Sequence, residues 1–155
     1  MMPTMTMLSF LDIATIVCIG LLVGSEVCLT VFANPALAKL DEPAQANAAH
    51  LLTARLATPM PLWNVLGLLL LVSAAFVRHN ETGFYLLVAA CIFWIAAAAF
   101  TFLFMLPLNT RLARATPNSS PWELLLDFKR LAALHGPRLV LLTVAFLCLL
   151  LGRHV

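Results

Sequence analysis

FYLLVAACIFWIAAAAFTFLFML, residues 84–106, runs for 23 residues without a charged side chain. About 20 apolar residues at 1.5 Å each carry a helix across a hydrocarbon core of roughly 30 Å, so this stretch is a membrane span. Immediately before it, RHNETG (78–83) is a polar turn with no room for a domain, and before that a second apolar run covers Leu62 to Val77. These two spans are therefore antiparallel neighbours. After it, PLNTR (107–111) closes the span, and the loop ATPNSSP leads to Ser120 as an N-cap, Pro121 at the first helical position and Glu123 in the first turn. The helix that starts there is amphipathic over 121–135 and wholly apolar after Arg138. Gly136-Pro137 predicts a kink between that interfacial part and a fourth span over 138–152.

At the other end of the chain, Met7 to Ala33 forms a first span, which Pro35 is expected to end because proline has no amide hydrogen. The N-terminus lacks the positive region of a secretory signal, and its apolar run passes residue 30 without a small-residue cleavage site. It therefore reads as a span and not a removable peptide. Residues 43–58 suggest a short helix too polar to cross, lying at the interface or tucked against the bundle mouth, before Pro59 to Pro61 reset the chain direction. The expected architecture is all-α: an integral membrane bundle of four transmembrane helices, with residues 1–155 as a single domain.

Composition agrees. Of 155 residues 63% are hydrophobic and 10% charged, against roughly a quarter charged in soluble domains. The bilayer is thus the first partner. The net charge of +2 comes from scattered Lys and Arg with no basic run to track a phosphate backbone, which argues against nucleic acid. Cys18, Cys28, Cys91 and Cys148 lie in apolar stretches without a CxxC pair and read as small hydrophobes in the core.

The face holding the first and third connections carries Lys39, Arg55, Arg111, Arg114, Lys129, Arg130 and Arg138, whereas the opposite face carries only Arg78 and Arg153. The positive-inside rule then puts the first and third loops in the cytoplasm and both termini outside, in a bacterial inner membrane. The polar residues of the spans gather on the same cytoplasmic side: Glu26, Thr30 and Asn34, then Asn64, Asn109, Arg111, His135 and Arg138, joined from the first connection by His50 and Arg55. On the other side only Asp12 stands out, close enough to the N-terminus to reach the headgroups.

A charge inside a span is costly, so it faces the bundle interior and pairs. Glu26, Thr30 and Asn34 at four-residue intervals share one helical face, and Glu26 is a candidate proton acceptor. His135 and Arg138, three apart, share another and combine a base with an anion-binding fork. The blander reading makes Glu26 an ion-pair partner of Arg55 or Arg138 that sets helix order, His135 an interfacial histidine, and Trp122 a belt residue instead of an aromatic wall for a flat substrate. No HxxxH, HxxH or ExxH spacing marks a metal site. Were copper or iron bound, Glu26, His50 and His135 are the ligands on offer.

Four segments in order, NPAL (34–37), RLATPMP (55–61), PLNTRL (107–112) and WELLLDFKRLAALHGPR (122–138), resemble the anthrone-oxygenase-like family of small membrane proteins over nearly the whole chain. The resemblance implies oxidoreductase chemistry: an anthrone, an aromatic ketone with an acidic CH, is oxidised by dioxygen to an anthraquinone. It also implies that Asn109, His135 and Arg138, with Arg55, are the matching site positions. A base generating an electron-rich anion needs no cofactor. His135 or Glu26 then takes the proton, Arg138 with Arg55 or Asn109 holds the anionic oxygen, and Asn34, Asn64 and Trp122 contact the substrate, which enters from the bilayer. The competing class is a non-enzymatic carrier, binding protein or assembly subunit for a small anion or lipophile. Four helices are few for a transporter, so that reading needs a homo-oligomer.

Overall fold

The computed structural model describes residues 3–114 and 120–154, with side chains described from residue 10 onward except at residues 121 and 154. The expected loop at 115–119 lies outside the described residues. Helix α1 (Pro3–Val27) passes through a π turn at Cys28–Ala33 into α2 (Asn34–Leu37). Then come α3 (Glu42–Leu56), α4 (Pro59–Val77) and α5 (Phe84–Phe100), which continues through a second π turn at Thr101–Met105 into α6 (Leu106–Ala113). The last helix, α7, runs unbroken over Pro121–His154. Four stretches are long and apolar enough to cross a membrane: Phe10–Leu37, Pro59–Val77, Phe84–Ala113 and Trp122–Arg153. The chain is a helical bundle built for the bilayer.

Its surface is apolar outward, as lipid demands. Phe10, Ile13, Val17 and Leu21 make an exposed stripe at three- and four-residue spacing, and Phe76, Tyr85 and Phe102 project from the other spans. Inside, Ile19, Leu22, Leu71, Leu87, Trp94, Leu142 and Leu149 form one core, and Ala49, Met105, Leu112, Phe128 and Leu131 form a second at the bundle mouth. Small residues set how closely the spans approach. The Trp94 ring lies over Gly67, where a Cβ would collide with it, and its Nε1–H donates to the Asn64 carbonyl at 3.0 Å. Trp63 Nε1–H likewise reaches the Cys18 carbonyl at 3.0 Å and ties α4 to α1. Cys28 is exposed on the outside of the bundle and is not packed in its core.

Three boundaries differ from expectation, each at a proline. Pro35 does not end the first helix and Pro107 does not end the third. In each case the turn before the proline widens, the residue just ahead of it donating five residues back: Asn34 N–H to Leu29 and Leu106 N–H to Thr101. The wider turn makes room for a ring that would otherwise meet a carbonyl one turn back, so the helix continues. Pro137, expected to separate an interfacial helix from a span, lies within continuous α7.

The polar helix α3 tucks against the mouth, packing on α6 and α7. Gln45, Ala46, Ala49 and Thr53 form its inward face, and His50 Nδ1 donates to the Leu112 carbonyl at 2.7 Å, fastening α3 to α6.

At the opposite end Asp12, which its position in the sequence directs to the headgroups, is buried among protein groups. Arg78 Nη2 meets its carboxylate at 2.6 Å and Arg153 Nε at 3.3 Å, while Arg78 Nη1 also bonds Glu81 at 2.9 Å. Both cations come from span ends that share this face with Asp12, and a buried acid between them needs no headgroup.

Candidate active site

Three charged or titratable side chains meet between α1 and α7. Glu26 is 1% exposed. It is ion-paired through Oε1 with Arg138 Nη1 and hydrogen-bonded through Oε2 with His135 Nδ1, the latter at 3.1 Å. Local helix geometry produces this: His135 and Arg138, three apart, lie on the same side of α7, the side that packs on α1. Arg138 Nη2 reaches Asn64 Oδ1 at 3.5 Å, and Asn64 Nδ2 donates to the Met60 carbonyl at 2.9 Å. Asn64 therefore spends both ends of its amide on holding Arg138 against α4.

Paired as a carboxylate with Arg138, Glu26 can only accept. A neutral His135 then carries its hydrogen on Nδ1 and its lone pair on Nε2. The arrangement is a histidine oriented by a carboxylate with a guanidinium beside it, a set of groups able to take up a proton and hold an anion.

His135 and Arg138 form one wall of a cavity of about 560 Å³. Met60, Val65, Phe102, Met105, Leu106, Phe128 and Leu131 give it an apolar lining, and Asn34, Thr53, Asn64, Asn109 and Arg114 add polar groups. Glu26 stands behind the wall and does not line the cavity. Among the described residues, three polar atoms of the neighbourhood are buried without a hydrogen-bond partner: Arg138 Nε, Asn34 Nδ2 and Thr30 Oγ1.

Of the residues singled out from the sequence, Glu26, His135 and Arg138 are brought together, and Asn34, Asn64 and Asn109 share the same cavity. Glu26 pairs with Arg138 and not with Arg55, which is exposed and lines no part of the cavity. Trp122 is 57% exposed, also away from it. His50 is spent on the Leu112 carbonyl, and among the described residues no group of three or more His, Cys, Asp or Glu is placed to hold a metal.

Thr53, Met105 and Phe128 were not anticipated. Thr53 was readable in principle from the spacing of Gln45, Ala49 and Thr53 along α3, which puts all three on one face. Met105 and Phe128 carried no such signal, because in an apolar chain a cavity wall has the same composition as a lipid face.

Fold and site together define a small helical membrane protein whose apolar cavity, large enough for a multi-ring lipophile, ends in a carboxylate-oriented histidine and an arginine. The model of the anthrone oxygenase family matches residues 49–148, and the chain belongs to that family. The matched region includes Asn64, Asn109, His135 and Arg138 but begins after Glu26 and Asn34. No curated protein and no solved structure matches the chain.

Proposed function

We propose that this protein is a membrane-embedded oxygenase that converts a lipophilic, enolisable aromatic ketone of the anthrone type to the corresponding quinone with dioxygen, without a cofactor. The observation that carries this reading is the Glu26–His135–Arg138 cluster at the wall of an apolar cavity in a member of the anthrone oxygenase family.

The chemistry follows from the charges. Glu26 and Arg138 cancel, and His135 is neutral. When Nε2 takes a proton from the activated CH, the imidazolium lies against the Glu26 carboxylate and the new enolate oxygen lies beside Arg138. Each new charge therefore meets its opposite in a water-poor site, where such stabilisation is largest. The anion passes electrons to dioxygen and a C–O bond forms, giving a peroxide that takes the proton back from His135. Loss of the second proton from the same carbon then breaks the O–O bond, leaving a C=O group and releasing water. One substrate and one O₂ give one ketone and one H₂O, with no outside reductant.

The substrate enters from the bilayer, and the cavity mouth faces the cytoplasm of a bacterial inner membrane, in keeping with the Lys and Arg distribution. Purified protein in nanodiscs, given an anthrone, should consume one O₂ per ketone formed. His135→Ala and Arg138→Ala should each lower turnover by two to four orders of magnitude, the usual worth of a general base or an oxyanion donor. Rates unchanged in both variants would refute the assignment.

A further inference from the structure

The Glu26 face of the first span continues past the catalytic cluster. Two polar atoms on it are buried and unpartnered: Thr30 Oγ1, which does not line the cavity, and Asn34 Nδ2, whose residue does. A buried amide donor without an acceptor is a standing cost, and native structures rarely carry one that nothing ever satisfies. The other amide near the cluster is committed, because Asn64 holds Arg138 with its oxygen and the Met60 carbonyl with its nitrogen. Asn34 has no such employment.

Its backbone is held in place. Asn34 N–H donates to Leu29 across the first π turn, and Pro35 follows at once, so the side chain leaves from a rigid point. Eight residues separate Asn34 from Glu26, which places it on the order of 10 Å along the bundle axis from the level where Glu26 meets Arg138. The lining includes apolar side chains such as Met60, Met105 and Leu131. Asn34 and Arg138 thus line one largely apolar cavity at different levels of the bundle.

We propose that Asn34 determines specificity: its side-chain amide, whose Nδ2 has no partner within the protein, turns to donate a hydrogen bond to an acceptor oxygen at the end of the ligand remote from Arg138. The cavity would then select elongated, flat lipophiles with an ionisable hydroxyl or enolisable ketone at one end and an acceptor at the other. This rests on the oxygenase reading for the ligand class alone, since binding can be read without turnover.

The probes are two hydroxyanthraquinones, one with a phenol on an outer ring and its counterpart with a methoxy group added on the opposite outer ring. Each is titrated into nanodisc-embedded protein and followed by its visible absorbance. Wild type should bind the methoxy compound about tenfold tighter, the worth of one hydrogen bond in a dry site. Asn34→Leu and the smaller Asn34→Ala, neither of which can donate, should erase that preference while holding the plain compound within about twofold. Equal affinities in wild type, parallel loss of both probes in the variants, or no binding of either would overturn the proposal. Lost turnover in wild type with the preference intact would instead count against the oxygenase reading alone.

Discussion

Each end of the bundle buries one acid between two basic side chains, and at the Glu26 end two of the three line a cavity. Asp12 sits with Arg78 and Arg153 where the spans close tightly. A Cβ on Gly83 would run into the Gly152 carbonyl, so α5 and α7 touch through backbone there. Glu26 sits with His135 and Arg138 where the spans are held apart, because both π turns lie at this end, each followed by a proline, and α3 wedges against α6 and α7. Among the described residues, the buried side-chain polar atoms without a partner, Arg138 Nε, Asn34 Nδ2 and Thr30 Oγ1, all lie around the open end. Similar charges thus serve different ends: packing distance decides whether a buried ion cluster is a clasp or a site.

The comparison can be broken one residue at a time. The largest stability effect is expected from Glu26→Leu, which strands the Arg138 cation in the interior and should cost about 3–5 kcal/mol in thermal or denaturant unfolding. Asp12→Ala removes the acceptor of two arginines but leaves them partly exposed. A loss of about 2–3 kcal/mol is expected, with turnover per folded molecule unchanged. A rate loss in Asp12→Ala comparable with that of His135→Ala would erase the distinction between the two ends. Gly83→Ala forces α5 and α7 apart at the closed end and should cost about 2 kcal/mol, again without touching catalysis. Smallest of all, Arg55→Ala and Trp122→Ala change exposed side chains off the cavity and should stay within about 0.5 kcal/mol and at wild-type rates. A strong kinetic effect in Arg55→Ala would mean that this arginine swings inward during turnover.

Much of this was legible in the sequence because lipid imposes simple constraints. A run such as residues 84–106 admits almost no other reading, and a charge such as Glu26 within a span must find a partner on the inside. Helical spacing on two spans then pointed to Glu26, His135 and Arg138. The three cavity-lining asparagines, Asn34, Asn64 and Asn109, stand out by being polar in apolar surroundings. What was hidden depends on distances between helices. The two π turns were read as helix ends, since a proline signals a missing donor but not how the preceding turn adapts. Asp12 was placed at the headgroups because its two arginine partners are distant in sequence, at residues 78 and 153. Arg55 is grouped with the site by its side of the membrane and by the family resemblance, and neither says which way a side chain on α3 points.

The central claim is that His135 Nε2 is the base, oriented by Glu26 and confined to the open end. Anaerobic exchange of the substrate's acidic C–H for deuterium isolates that step from everything dioxygen does. Followed by proton NMR on an anthrone with protein in nanodiscs in D₂O, exchange should run well above the uncatalysed rate in wild type and in Asp12→Ala. It should fall to the uncatalysed rate in His135→Ala. Exchange in His135→Ala as fast as in wild type, or no acceleration in wild type at all, would contradict the account.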